Sequence, residues 1–195
     1  KGGRIPQDFK RANALYRLGC NAAVPQACSN LGHNLVLGRG AKKDVKAAVE
    51  FYGKACDKSL MVACYNLGVT HRTGDGVPKD HKAANALFKK VCDAKDVSGC
   101  NALGESYARG YGVALNERKG HALFQKACDG KSIFGCYNLA NNYMQGKGTV
   151  RSYQKAARIH AVNCEQGFAK SCLRLGVMYQ EGKGSERSSR QANTY

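Results

Sequence analysis

Ten cysteines recur with a fixed period, and this period limits the fold more than any other feature of the sequence. They form five pairs with seven residues between the two members, and the first members follow one another every 36 residues. A constant period of about 20 to 50 residues is typical of a solenoid whose units stack on their neighbours. The pairs are Cys20 and Cys28, Cys56 and Cys64, Cys92 and Cys100, Cys128 and Cys136, and Cys164 and Cys172.

Each unit carries the signals of two helices. Helix A runs in the first full unit from about Gln26 to Leu37 and ends at Gly38, the first glycine of a G-x-G turn that recurs in every unit. Helix B follows, capped by Asp44 and extending to about Cys56, with apolar residues three and four apart on one face. The sequence therefore predicts an all-α solenoid of helix-turn-helix repeats. The capping column consists of Asp8, Asp44, Asp80, Asn116, Ser152 and Ser188, all favoured N-cap types.

No linker interrupts the repeats, so we expect one repeat domain over residues 1–195. The chain opens in an inter-helix loop, and a last helix B is expected to begin at Ser188 and to stop after about two turns. These ends suit either a fragment of a longer array or a mature chain whose upstream helix was removed. The expected units are approximately 1–20 (partial), 21–56, 57–92, 93–128, 129–164 and 165–195 (truncated).

The paired cysteines predict disulfides. Each first cysteine ends a helix B and each second cysteine begins the next helix A, so their side chains can meet across the turn. The alternatives are unpaired thiols packed as small hydrophobes, or metal ligands, although no pair has a second pair or a histidine at zinc spacing. An even count and strict pairing favour disulfides, which persist in oxidising compartments, so we expect a protein exported into a periplasm or secreted. The chain contains neither a signal peptide nor a membrane-spanning stretch, so any export signal would have to lie upstream of Lys1.

The chain is strongly basic, with 31 Lys and Arg against 14 Asp and Glu and a formal net charge of +17. Such a balance favours an acidic partner: a protein, an anionic membrane surface or a nucleic acid. Nucleic acid fits poorly, because the chain has no recognised binding module, no Trp and no arginine-rich segment interleaved with exposed aromatics. One basic column near the start of helix B also suits a solvated outer face: Lys10, Lys46, Lys82 and Arg118, with Arg190 in the last unit.

Catalysis has little support in the sequence. Ser152 and Lys155 match the S-x-x-K of serine β-lactamases, but Ser152 lies in the N-cap column and no S-D-N or K-T-G follows. The five histidines have no paired ligand spacing. His160 stands where the other units place Tyr52, Phe88 and Phe124, which indicates packing. We therefore predict no catalytic residue, metal or cofactor.

The repeat unit resembles a known family. The pattern A-C-x-N-L-G-x-x-Y-x-x-G-x-G-V, then D-x-x-K-A and K-A-C, is similar to the Sel1-like repeat, a relative of the tetratricopeptide repeat. The form with paired cysteines resembles the Helicobacter cysteine-rich protein family. "ACYNLGVTHRTGDGVPKDHKAANALFKKVC", Ala63 to Cys92, matches nearly throughout, and five copies cover almost the whole chain. The units depart from the pattern at Ala140, and at Leu35 and His71, where Tyr107, Tyr143 and Tyr179 keep the aromatic.

The resemblance implies a right-handed superhelix whose concave side is lined by helix A and holds a protein or a peptide. Helix periodicity, phased on a buried Leu31, places three columns on that side. The first is Asn30, Asn66, Ala102, Asn138 and Arg174, the second is Asn34, Thr70, Ser106, Asn142 and Met178, and the third is Leu37, Thr73, Arg109, Gln145 and Glu181. From these columns and from residues that break the repeat, the candidate partner-binding residues are Asn30, Asn66, Arg72, Arg109, Tyr111, Asn138, Asn142, Met144 and Arg174.

Some relatives resemble periplasmic immunity proteins that block a toxic phospholipase, and others are reported as penicillin-binding or β-lactamase-like. We therefore expect an exported, non-enzymatic scaffold that binds an acidic protein. More specifically, we expect an immunity-type inhibitor of a secreted toxin enzyme, such as a phospholipase effector. The alternative is a penicillin-binding or β-lactamase-like enzyme.

Overall fold

The computed structural model describes residues 7–184, which form helices joined by short turns and contain no strand. The helices are α1 (Phe9–Asn21), α2 (Pro25–Leu37), α3 (Val45–Asp57), α4 (Met61–Thr73), α5 (His81–Asp93), α6 (Val97–Arg109), α7 (Glu117–Asp129), α8 (Ile133–Gln145), α9 (Tyr153–Glu165) and α10 (Ala169–Glu181). The even-numbered helices are helix A of the repeat and the odd-numbered ones are helix B. The predicted all-α repeat of helix pairs is confirmed.

Helix B begins at a side-chain cap in every described unit. The Asp44 carboxylate accepts a hydrogen bond from the Ala47 amide at 3.0 Å, and Ser152 Oγ accepts one from the Lys155 amide at 3.3 Å. Such a bond satisfies one of the amides that the first turn leaves without a partner. Asp8, Asp80 and Asn116 cap their helices in the same way, which confirms the capping column as far as Ser152. Ser188 lies outside the described residues.

The two glycines of the G-x-G turn that follows helix A have different roles. Its first glycine, for example Gly146, adopts a left-handed conformation at the helix C-terminus with φ +72°, which glycine reaches without a Cβ clash. Its second glycine, for example Gly148, has φ +67° and also lies against the backbone of the preceding helix B. A Cβ on Gly148 would overlap the Glu117 carbonyl group. The second glycine therefore sets the distance between the turn and helix B.

By its internal contacts the chain divides into two compact units, residues 1–94 and 95–195. The core of the first unit contains Leu31, Tyr52 and Leu67, packed with small alanines. A core cluster of the second unit contains Leu175 and Met178, both 0% exposed, with alanines from α8 and α9. Each unit thus buries the apolar stripes of adjacent helices against one another. That the repeats form a single domain stays a prediction.

Within each of the two units, disulfides link the end of a helix B to the first turn of the next helix A. The Cα atoms lie 4.6 Å apart in Cys20–Cys28 and 4.4 Å apart in Cys128–Cys136, within the range that the bond requires. Cys56–Cys64 and Cys164–Cys172 repeat this arrangement, and Cys92 and Cys100 are also disulfide-bonded. No cysteine is left free, so the disulfide prediction is confirmed and the alternative of unpaired thiols is wrong.

Candidate functional site

The outward face of helix A carries the third predicted column. Thr73, Arg109, Gln145 and Glu181 are exposed at the ends of their helices, and Leu37 is 48% exposed. The first column is mixed: Asn30 and Arg174 are exposed, Asn66 and Asn138 are half-buried, and Ala102 is buried. These two columns give helix A a polar, amide-rich surface.

The prediction that the second column faces outward is wrong, and this includes the binding candidate Asn142, which is only 8% exposed. Its members are buried, and the side chains of Asn34, Thr70 and Ser106 form hydrogen bonds within the protein. Thr70 Oγ1 donates to the Asn66 carbonyl at 2.9 Å, and Met178 belongs to the core of the second unit. The buried column consists of Asn34, Thr70, Ser106, Asn142 and Met178.

One candidate in the first unit, Arg72, has a structural contact. The Arg72 guanidinium lies 5.1 Å from the centroid of the Phe88 ring, which is 0% exposed, so Arg72 covers a core aromatic residue. Asn66 is half-buried on the same helix, α4. Asn30 on α2 is the exposed candidate of this unit.

Arg109 and Tyr111 lie together at the end of α6. A hydrogen bond between the two side chains raises the pKa of Arg109. Burial of the guanidinium acts against this shift, and the charge of Glu105 adds to it. Arg109 is exposed and Tyr111 is 38% exposed, so the pair presents a cation and an aromatic ring to solvent.

Half-buried amides connect α6 to α8. Asn138 Nδ2 donates to Asn101 Oδ1 at 2.9 Å, and Asn101 Nδ2 lies 3.4 Å from Glu105 Oε1. Because Asn138 uses its Nδ2 in this bond, its side-chain Oδ1 can still accept a hydrogen bond. Such a group suits hydrogen bonding to the backbone of a bound segment. Met144, another candidate on α8, is half-buried and packs against the core cluster of the second unit.

Arg174 on α10 is held by α8. Its guanidinium and the Asn141 side chain both form hydrogen bonds with the Tyr137 hydroxyl. Burial alone would raise the pKa of Tyr137, but these bonds and the charges of Arg174 and Lys170 outweigh it and lower the pKa. Of the sequence candidates, Arg174 and Asn138 thus lie on neighbouring helices of one face.

Sequence reasoning missed the aromatic residues beside Arg174. The Phe134 and Phe168 ring centroids are 5.5 Å apart, and Tyr137 lies 5.5 Å from Phe168. Phe134 is 63% exposed. The available signal was the break in the repeat: the positions equivalent to Phe134 are Gln26, Val62, Ser98 and Lys170.

The S-x-x-K alternative does not form a nucleophile and base. Ser152 Oγ caps α9 by accepting from the Lys155 amide, while Lys155 Nζ lies 5.2 Å from the centroid of the Tyr143 ring. The lysine amine is thus placed over an aromatic face. Ser152 has the structural role that its column predicts.

Charge is spread over other surfaces too. Lys10, Lys46, Lys82 and Arg118 are all exposed on helix B, as a solvated face requires. Within residues 7–184, no group of His, Cys, Asp and Glu side chains is arranged to hold a metal ion. No helix in that range is long and apolar enough to cross a membrane.

Paired helices joined by disulfides, with a polar face on helix A, define a helical repeat scaffold of an oxidising, extracytoplasmic compartment. The sequence model of the Sel1 repeat matches residues 1–24, 25–60, 62–96, 97–132, 133–160 and 169–195, so the chain belongs to the Sel1 repeat family. Sel1 repeats mediate protein–protein interactions, and proteins built from them are typically non-enzymatic. No curated protein sequence matches the chain.

The solved structures to which the chain is similar include the following three. A protective antigen of uropathogenic Escherichia coli has a TM-score of 0.86 at 26% identity, and the match covers 93% of this chain but only 40% of that protein. Cysteine-rich protein B of Helicobacter pylori has a TM-score of 0.52 at 29% identity, with 70% of this chain and 98% of that chain covered. An immunity protein from Pseudomonas aeruginosa has a TM-score of 0.64 at 19% identity, covering 98% of this chain and 73% of that chain.

Proposed function

We propose that this protein is an exported immunity-type inhibitor, which binds an acidic toxin enzyme, such as a phospholipase effector, and blocks its active site. The observation that carries the proposal is the face formed by α6, α8 and α10. There, Arg109 is exposed at the end of α6, Arg174 is exposed on α10, and α8 carries half-buried amides and no charged residue. The shared fold with an immunity protein supports the same conclusion.

Electrostatics explains how such an inhibitor would work. A net charge of +17 attracts an acidic enzyme and speeds its association, and this attraction weakens as salt rises. The cations on the helix A face then pair with carboxylates around the enzyme's active site. Disulfides keep the binding surface folded in the periplasm or outside the cell, where the toxin is met.

Affinity capture from the periplasmic and secreted fractions of the native cells, with the oxidised protein as bait, tests the proposal. We expect one acidic enzyme, bound more weakly at high salt and inhibited when one equivalent of this protein is added. The test variant is Arg109→Glu with Arg174→Glu, on the helix A face. The matched control is Lys82→Glu with Arg118→Glu, which makes the same charge change on helix B.

The two variants separate specific docking from general attraction. The helix A variant should lose at least about tenfold in affinity, because arginines at the centre of an interface often carry much of the binding energy. The helix B variant should keep affinity within about threefold, since peripheral charges mainly change association rates. Equal losses in both variants, or a captured enzyme that stays fully active, would overturn the proposal.

A further inference from the structure

Aromatic rings and cations are concentrated at the start of α8 and α10. We call this set the aromatic–basic patch: Phe134, Tyr137, Phe168, Lys170 and Arg174. All five lie in the second compact unit. Phe134 and Tyr137 are on α8, Phe168 is the N-cap residue of α10, and Lys170 and Arg174 are on α10.

The aromatic part of the patch is a fixed platform. Phe134 packs edge-to-face on Phe168 with an interplanar angle of 83°, and Tyr137 packs on Phe168 at 77°. Tyr137 is backed by the buried His160 ring at 5.6 Å. Although Phe134 is held by these contacts, 63% of it is exposed. A ring fixed in this way offers contact area to a ligand at little cost in conformational entropy.

The cations of the patch have no carboxylate partner among the residues that the structure describes. Among residues 7–184, neither Lys170 nor Arg174 forms an ion pair, and α8 contributes no acidic side chain. Arg174 is exposed, and its bond with the Tyr137 hydroxyl orients the guanidinium. A guanidinium has five N–H donors, so Arg174 retains donors for a carboxylate.

The fold itself does not need these residues. Other units fold with polar or aliphatic residues at the positions equivalent to Phe134, Phe168 and Arg174, so the repeat does not require a phenylalanine or an arginine there. The positions equivalent to Phe168 are Val24, Leu60, Asp96 and Ser132, and those equivalent to Arg174 are Asn30, Asn66, Ala102 and Asn138. The patch is therefore a local departure from the repeat that combines apolar area with positive charge.

We propose that the aromatic–basic patch binds an extended acidic segment of the partner protein. In this segment an Asp or Glu carboxylate pairs with Arg174, and a neighbouring apolar side chain packs on Phe134. The half-buried amides of Asn138 and Asn141 lie on the same helix and supply partners for the segment's backbone. Amides that both donate and accept, next to an exposed apolar ring, suit a polypeptide, whose backbone offers a donor and an acceptor at each residue. The inference rests on the proposed protein-binding function and specifies the chemistry that the patch recognises.

Selection from a random library of 12-residue displayed peptides, with the full oxidised chain as bait, tests the patch. We expect enrichment of peptides in which an Asp or Glu stands within two residues of a large apolar residue. Two variants take their new residue from another repeat, which favours normal folding: Phe134→Ser, as at Ser98, and Arg174→Asn, as at Asn138. The control, Arg158→Asn, removes an exposed cation from α9.

Fluorescence anisotropy with a labelled selected peptide gives the decisive comparison. Affinity should fall at least tenfold for Phe134→Ser and for Arg174→Asn and stay within twofold for Arg158→Asn. Peptides without acidic residues, equal binding by all variants, or Arg174-dependent binding to phosphatidylglycerol vesicles with no peptide selected would each overturn the inference. If a captured enzyme is inhibited equally by wild type and Arg174→Asn, the proposed function stands and the patch fails. If selected peptides bind as expected but no enzyme is inhibited, the inference about the patch is supported and the proposed inhibitor function fails.

Discussion

Acid should destabilise the second unit through His160. The imidazole is 0% exposed, its Nδ1 lies 3.2 Å from Ser171 Oγ, and its Nε2 has no hydrogen-bond partner. Burial, with a smaller effect from the charge of Arg174, lowers the pKa of His160 to about 4. Protonation would therefore create a buried N–H without an acceptor, close to a guanidinium.

The size of the effect follows from the difference in proton uptake. A histidine in the unfolded chain has a pKa near 6.5, so the unfolded state takes up its proton first as pH falls. Above about pH 7 the ring is neutral in both states and His160 adds no pH dependence. Between pH 8 and pH 5 the free energy of unfolding should fall by about 2 kcal/mol through this residue, and by about 3 kcal/mol below pH 4.

The assay is urea unfolding of the oxidised protein, followed by circular dichroism at pH 8, 6.5 and 5. The comparison variant is His160→Phe with Ser171→Ala, which places an aromatic residue and alanine where an earlier unit has Tyr52 and Ala63. The readout is the change in unfolding free energy between pH 8 and pH 5, so a uniform loss of stability in the variant does not matter. Wild type should lose about 2 kcal/mol more than the variant over this range.

Equal pH dependence in both proteins, within the error of the extrapolation, would refute this reasoning. It would mean that the folded protein binds a proton at His160 as readily as the unfolded chain. An NMR titration of the ring protons checks the same point directly. Their chemical shifts should stay constant down to about pH 5, because the pKa of the folded state is about 4.

Two further predictions concern the turn and the disulfides. Gly146→Ala should cost about 1–2 kcal/mol of stability from its positive φ alone, whereas Gly148→Ala should cost at least about 1 kcal/mol more, because its Cβ meets the Glu117 backbone. Urea unfolding of both variants measures this, and equal costs would contradict the close approach. Replacing Cys128 and Cys136 by Ala should cost about 2–3 kcal/mol, as expected for a short closed loop. The same denaturation midpoint in wild type and variant would contradict that account.

The helix pairs could be predicted because their signals are local. A cap such as Asp44 needs only the amide three residues ahead, and Gly38 needs only its own backbone conformation. Cys20 and Cys28 meet across one turn. None of these features requires knowledge of how distant helices pack, and the 36-residue period repeats them without change.

The buried amides could not be predicted from polarity. Helix periodicity predicts Asn34 at the surface, but its Nδ2 donates to Asn13 Oδ1 at 2.7 Å, and Asn13 Nδ2 donates to the Arg39 carbonyl at 2.7 Å. Since their hydrogen bonds are made within the protein, these polar side chains can be buried. Sequence alone does not reveal a pairing between α1 and α2 of this kind.

The patch at α8 and α10 was missed for a similar reason. Arg174 was singled out because it breaks its column, but nothing in the sequence places it against Tyr137. Phe134 and Phe168 are 34 positions apart, which is not the repeat period, so comparison of equivalent columns does not bring them together. Their meeting depends on how α8 and the start of α10 pack.

The short span of the disulfides also determines how the chain can acquire them. Cys20 is separated from its partner by eight positions, while the next cysteine after Cys28 is Cys56, 28 positions further on. Because closing a loop of about ten residues takes tens of nanoseconds, the correct thiol is also the first one encountered. If the chain meets an oxidant from its N-terminus onwards, each pair can be oxidised before the next is exposed. Correct connectivity then needs an oxidant but no rearrangement of wrong pairs.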